Sequence, residues 1–195
     1  LQWNAIGHHH TFLRSDYGRW ESQKRMYNPY LYRAPNGEWH CTWSLNHEDG
    51  AVAHTVSSYL VYWKPQSYPV LMAGGNCLNP EIAYDPYKNG FHIIWQSDNP
   101  TEGLFKSFTN DFRHFSPATG LDKHPDNRSE LTIGGAVKKG TVHRVSWKEV
   151  NRLFSSQRET AYKQLLNSER VAMNPDQFRN PITVNITPDS KEKKS

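Results

Sequence analysis

From Tyr30 to Phe115 the chain alternates short apolar runs with polar or glycine-bearing breaks, the period-two pattern of half-buried strands. About eight short strands are expected there, with turns at Pro35-Asn36-Gly37, Glu48-Asp49-Gly50, Gly74-Gly75 and Lys88-Asn89-Gly90. Residues 1–13 read as strand, turn and strand, followed by a polar loop around Ser15–Arg19. A second polar loop is expected over Ala118–Arg128, then paired strands over 130–136 and 140–147 around Lys138-Lys139-Gly140. There the period changes. Ser146 with Glu149 forms a capping box, and Val150, Leu153 and Phe154 share a helical face; Ser156 with Glu159 repeats the signal ahead of Tyr162, Leu165 and Leu166. One broken helix or two consecutive ones are expected over 147–171, packing their apolar stripe on the β layers, because the polar face is not basic enough for a membrane surface. Beyond Asn174-Pro175 the chain is polar, with ITVNIT at 182–187 as one exposed strand and a charged end.

The strand pattern repeats. NPYLYRAPNGEWHCTWSLN at 28–46 and NPEIAYDPYKNGFHIIWQSD at 79–98 each run from Asn-Pro through a short strand and a glycine turn to an aromatic strand ending at Trp43 or Trp95. Each continues into a polar-aromatic closing segment, SSYLVYWKPQ around Trp63 and SFTNDFRHFSP around Phe115. A repeat of about fifty residues with several short strands per unit is the signature of a β-propeller blade. The fold expected is therefore all-β, blades of a β-propeller over 1–146, with a helical extension over 147–172 and a polar tail or linker over 173–195. LQWNAI at 1–6 resembles the end of another closing segment, with Trp3 in the place of Trp63. A closed ring takes about four to eight blades. The reading therefore expects an incomplete ring, completed by an upstream segment or an attached domain.

Composition narrows the partners. Only 36% of residues are hydrophobic, yet 13% are aromatic, with seven Trp and ten Tyr, which suits thin β layers built on large rings and also a sugar-binding surface. The net charge of +4 owes part to KEKK at 191–194, and elsewhere the two signs are interspersed, so nucleic acid is not the expected partner. No apolar run approaches the ~20 residues that span a bilayer. Two cysteines, Cys41 and Cys77, are too few for a disulfide scaffold or a zinc site; Cys41 alternates with Trp39 and Trp43 and is read as a buried thiol. His8, His9 and His10 are adjacent and would point to alternating faces of a strand, so neither a metal nor another cofactor is expected. Asn127-Arg128-Ser129 and Asn185-Ile186-Thr187 fit the glycosylation sequon, which matters only in a secreted eukaryotic product.

MYNPYL at 26–31, YLVYWKPQSYPVLM at 59–72 and CLNPEIAYD at 77–85, with the closing SFTNDFRHFSP, together resemble the five-bladed propellers of glycoside hydrolase family 43 and its relatives. The resemblance covers about residues 1–145, and KGTVHRVSWKEVNRLF is similar to a trailing piece of some bacterial members. It implies hydrolysis of arabinose- or xylose-containing saccharides by an Asp base, a Glu acid and a third Asp, in an extracytoplasmic setting. The chain departs from that pattern where the family's Asp-Pro reads Asn28-Pro29: an amide cannot deprotonate water. Glu81, in its Pro-Glu-Ile context, stands as the acid or a substrate-positioning carboxylate, and Glu130 at the next blade start as the further carboxylate. Asn28 and Asn79 are open to a substrate role or to a local one, since Asn before Pro favours an extended turn. Trp43, His54 and Gln66 are further candidates for orienting a sugar by stacking and hydrogen bonds, whereas Asp98 and Asp111 read as turn residues. Three functions remain: a glycosidase, a non-catalytic carbohydrate-binding or accessory propeller of a larger glycosidase, or a purely structural interaction propeller, which would show neither paired acids nor exposed rings at its opening.

Overall fold

The computed structural model describes residues 25–46, 50–64, 70–72, 75–99, 103–123, 125, 127–156 and 182–184, with Trp3, Ile6 and 12–15 as separate pieces. The first repeat folds as the antiparallel strands β1 (Met26–Arg33), β2 (Trp39–Leu45), β3 (Ala51–Ser57) and β4 (Val70–Met72), and the second as β5 (Cys77–Asp85), β6 (Gly90–Ser97), β7 (Leu104–Thr109) and β8 (Thr119–Leu121). Both are blade-like sheets in sequential order. They are followed by a hairpin, β9 (Ser129–Ile133) and β10 (Ala136–Gly140), then α1 (Trp147–Ser156) and β11 (Ile182–Val184). The described residues are thus mostly β with one helix, and no closed ring is formed among them.

The repeat holds at the level of single atoms. Asn28 and Asn79 both adopt left-handed backbone, at φ 50° and 48°, and each lies where the pairing of its strand shifts register. They are therefore bulge residues within a strand, not the extended turns expected of Asn before Pro: an Asn tolerates left-handed φ, and the bulge absorbs the extra residue. At the end of the third strand, Ser57 Oγ accepts hydrogen bonds from the Tyr59 and Leu60 amides, as Thr109 Oγ1 accepts from those of Asp111 and Phe112. Leu60 and Phe112 are left-handed as well. Thr55 and Ser107, one position further in on the same face, donate to the Lys64 and Ser116 carbonyls. Each closing segment is thus a side-chain-capped turn.

The two sheets pack face to face through Tyr30, Val52 and Met72 of the first and Ile82, Ile93, Trp95 and Phe105 of the second. Thr42 and Ser44 on β2 donate across this interface to the Pro80 and Cys77 carbonyls of β5. The opposite face of the first sheet carries Cys41, Trp43, Leu45 and Ala53, covered in part by Leu13 and Trp63. Both thiols are free and buried, as expected of Cys41; burial pushes Cys41 up to about 12 and Cys77 well above its usual value.

Several boundaries differ from expectation. The hairpin turns at Gly134-Gly135, both with positive φ, and not at Lys138-Lys139; two glycines supply the two left-handed residues that a tight primed turn needs. Part of the expected loop after Ala118 is β8, which pairs with β7, and Ala118 itself is fully buried. The strand at 182–184 pairs in parallel with β4 and buries Val184, so it joins the core where an exposed strand was expected. The capping box at Ser146 and Glu149 forms as read, but Glu149 and not the apolar stripe makes the buried contact of α1: its carboxylate accepts from Trp39 Nε1 at 3.3 Å and pairs with Arg33 at 3.4 Å, while Phe154 stays half exposed. The second half of the expected helix, with Tyr162, Leu165 and Leu166, lies outside the described residues, as do His8–His10 and Gln66.

Gly90 shows how tightly a repeat turn is held. A Cβ there would lie 2.4 Å from the Phe108 ring and 2.8 Å from the Thr109 carbonyl. Gly90→Ala is expected to cost about 1–3 kcal/mol through overpacking, whereas Gly37→Ala, with open space around it, is expected to lose only what its positive φ of 86° demands. Urea unfolding of the two variants checks this ranking.

Candidate functional site

The edge strands β1 and β5 of the two sheets bring their bulges together, and the bulge leaves a backbone carbonyl free of the sheet ladder. Arg128, just before β9, fills this junction. Its Nη1 meets Glu81 Oε1 at 2.5 Å, and its Nη2 donates to the carbonyls of Pro80 at 3.2 Å and Asn28 at 3.3 Å. Its guanidinium lies 5.0 Å from the centre of the Tyr30 ring. The side chains of Glu81 and Arg128 are only 1% and 7% exposed. Tyr30 occupies in β1 the place that Glu81 occupies in β5, and its phenol is pushed up to about 12 by burial first and the Glu81 charge second, against a hydrogen bond from Asn127. One planar cation thus ties both bulges, a buried carboxylate and a buried phenol into a single unit.

An ion pair needs the ionised carboxylate, whereas a general acid must carry a proton to its leaving group. A buried charge pair also costs desolvation that only good geometry and extra hydrogen bonds recover. The two further bonds from Nη2 to bulge carbonyls supply them. The arrangement is therefore suited to locking the starts of β1 and β5 together and poorly suited to proton transfer.

The remaining candidates are dispersed. Asn28 is exposed and contributes its backbone carbonyl to Arg128; Asn79 is half-buried at the second bulge. Glu130 is exposed on the hairpin, opposite Lys139 in the β9–β10 pairing. Trp43 is fully buried with its indole nitrogen on Ser15 Oγ at 3.2 Å, so its ring fills the core and presents no face on which a sugar could stack. His54 lies mid-strand on β3, paired through Thr42 with Tyr30 and so two strands across from it, with its ring stacked on Phe112 at 3.7 Å between centres and its Nε2 3.0 Å from His40 Nδ1. Asp111 is a turn residue, accepting from the backbone amides of Arg113 and His114. Sequence reasoning missed Arg128 and Tyr30, and the signal for Tyr30 lay in the repeat itself, which aligns it with Glu81. Among the described residues no group of three or more His, Cys, Asp or Glu side chains is placed to hold a metal ion, and no helix is long and apolar enough to cross a membrane.

The chain matches no protein-family model and no curated protein. Among solved structures it is similar to an exo-beta-1,3-galactanase from Phanerochaete chrysosporium crystallised with beta-1,3-galactotriose, at 12% identity and a TM-score of 0.37 over 46% of this chain and 24% of that one. It is similar to a Bacteroides ovatus protein described as xyloglucan PUL GH43B, at 16% identity and a TM-score of 0.43 over 58% and 25%. A third is an alpha-L-arabinofuranosidase from Lactobacillus brevis, at 12% identity and a TM-score of 0.35 over 58% and 43%. The chain spans less than half the length of each of these neighbours. These neighbours are glycosidases, matched here only in part and at low identity.

Proposed function

We propose that this chain is a non-hydrolytic part of a glycosidase-like β-propeller, recognising arabinose- or xylose-containing saccharide or serving as an accessory to a larger glycosidase. The observation that carries this reading is the engagement of Glu81 by Arg128. The one buried blade-start carboxylate is held as a counter-ion, Asn28 stands where a base would be needed, and Glu130 is exposed on a hairpin opposite a lysine. Paired carboxyls on either side of a scissile bond are what glycoside hydrolysis requires. The sequence motifs at 26–31, 59–72 and 77–85 support the choice of saccharide as partner, and the extracytoplasmic setting rests on that resemblance alone.

The test is an arabinan and xylan oligosaccharide panel, read for both binding and hydrolysis. Binding without turnover is the expected result. Turnover that disappears in Glu81→Gln, in a variant still folded by circular dichroism, would restore Glu81 as a catalytic acid and end the non-hydrolytic reading.

A further inference from the structure

The two sheets enclose a cavity of about 420 Å³ at the end of β1 remote from Asn28 and Glu81, where the 34–38 turn of the first sheet faces the 109–113 turn of the second. Its lining is mixed: His40, His54 and Phe112 with Glu38, Lys64, Asn110 and Arg113. That volume lies within the range of small-molecule sites.

Two features of the lining specify a chemistry. First, the formal charges balance. Glu38 pairs with Lys64 at 3.2 Å, and Asp111 faces the same space as Arg113, so the cavity carries no excess of either sign. Burial, opposed by Glu38, pushes His40 down to about 4, and His54 falls well below its usual value for the same cause, so both rings are neutral. Second, His40 is 4% exposed and spends Nδ1 on His54, while its Nε2 is buried and has no hydrogen-bond partner among the described residues. A neutral imidazole presents a proton on one nitrogen and a lone pair on the other. The His40–His54 bond can run in either direction, so Nε2 can present either. A hydroxyl satisfies both states, because it donates and accepts; a carboxylate, phosphate or ammonium satisfies only one. At the mouth, Asn110 and Arg113 are exposed, and their side chains add amide and guanidinium donors of the kind that grip sugar hydroxyls.

We propose that this inter-sheet cavity is a binding site for a neutral saccharide unit, separate from the blade-start junction around Glu81. The inference rests on the carbohydrate reading given above and adds the place and the class of sugar.

The test is titration of the full chain with arabinose, xylose, galactose and galacturonate, followed by calorimetry and by the imidazole NMR signals of His40 and His54. Asn110→Ala and Arg113→Ala alter exposed side chains and leave the fold intact. A neutral sugar is expected to shift the His40 signal, and each variant to weaken binding by about tenfold, the worth of one lost polar contact. Neutral-sugar binding that neither variant weakens, with the His40 signal unmoved, overturns the cavity as the site and leaves the carbohydrate reading standing. Tighter binding of galacturonate than of the neutral sugars overturns the neutral class. Failure of every sugar, and of the oligosaccharide panel, overturns both readings together.

Discussion

Arg128→Ala is expected to lower the unfolding free energy by about 3–5 kcal/mol. The magnitude follows from what remains. Glu81 would be left at 1% exposure without its guanidinium partner and would have to hold an uncompensated charge or take up a proton, the Pro80 and Asn28 carbonyls would lose the donor from Nη2, and Tyr30 would lose the cation over its ring. Glu81→Gln is expected to cost a comparable amount for the mirror-image reason, a buried guanidinium without its counter-charge. Replacing both with Met removes the two desolvation penalties together and is expected to return stability to within about 1 kcal/mol of wild type, or above it. Chemical denaturation of the two singles and the double gives the coupling energy directly. Additive losses, with the double worse than either single, would show that the two residues act independently.

Acid is expected to weaken the chain through the His40–His54 pair. The ring of His40 is pushed from the usual 6.5 down to about 4 by burial, and burial likewise holds His54 well below its usual value. The unfolded chain therefore takes up protons that the folded chain refuses. The stability this pair allows is fully present above about pH 6.5 and is lost as the pH falls toward 4, by about 3 kcal/mol for His40 alone. The charges around the pair do not reverse the sign: Glu38 favours a protonated His40, but Lys64 opposes it, and both lie nearer the rim. Phe91 and Phe112, whose centres lie 4.8 and 5.1 Å from the His40 ring, offer no counter-charge. Urea midpoints measured from about pH 7.5 to about pH 4.5 should fall more steeply for wild type than for a His40→Phe, His54→Phe double variant. Parallel curves would place the acid sensitivity elsewhere, in carboxylates such as Asp111 and Glu149, whose proton affinities are held low by hydrogen bonds in the folded chain.

What was legible in the sequence follows the range of the interaction involved. The Asn-Pro, glycine-turn and Trp landmarks mark features set by near neighbours, and each appears twice in the same structural role: a bulge at Asn28 and Asn79, a turn before β2 and β6, a buried Trp43 and Trp95. The capping box at Ser146 is local in the same way. The partner of Glu81 was not legible, because Arg128 reaches it from a loop beyond the second sheet and no spacing rule links the two. Nor was the burial of Trp43: aromatic alternation says that a ring faces one side of a strand, but only the packing of 12–15 against that side says that it is covered. The parallel strand at 182–184 depended likewise on a partner, β4, remote in sequence. Asn28 illustrates both halves. Its amide, where the family that the chain resembles has Asp-Pro, was visible at once, while its left-handed backbone, and the carbonyl it turns toward Arg128, emerge only once the bulge is seen.

The most direct measurement of the central claim is saccharide binding and turnover by the Glu81→Met, Arg128→Met double variant beside wild type. If Glu81 is a structural counter-ion, the double variant folds, binds the same oligosaccharides within about twofold of wild type, and neither protein hydrolyses them. A wild type that turns over substrate, and a folded double variant that does not, would contradict the account and return Glu81 to the chemistry.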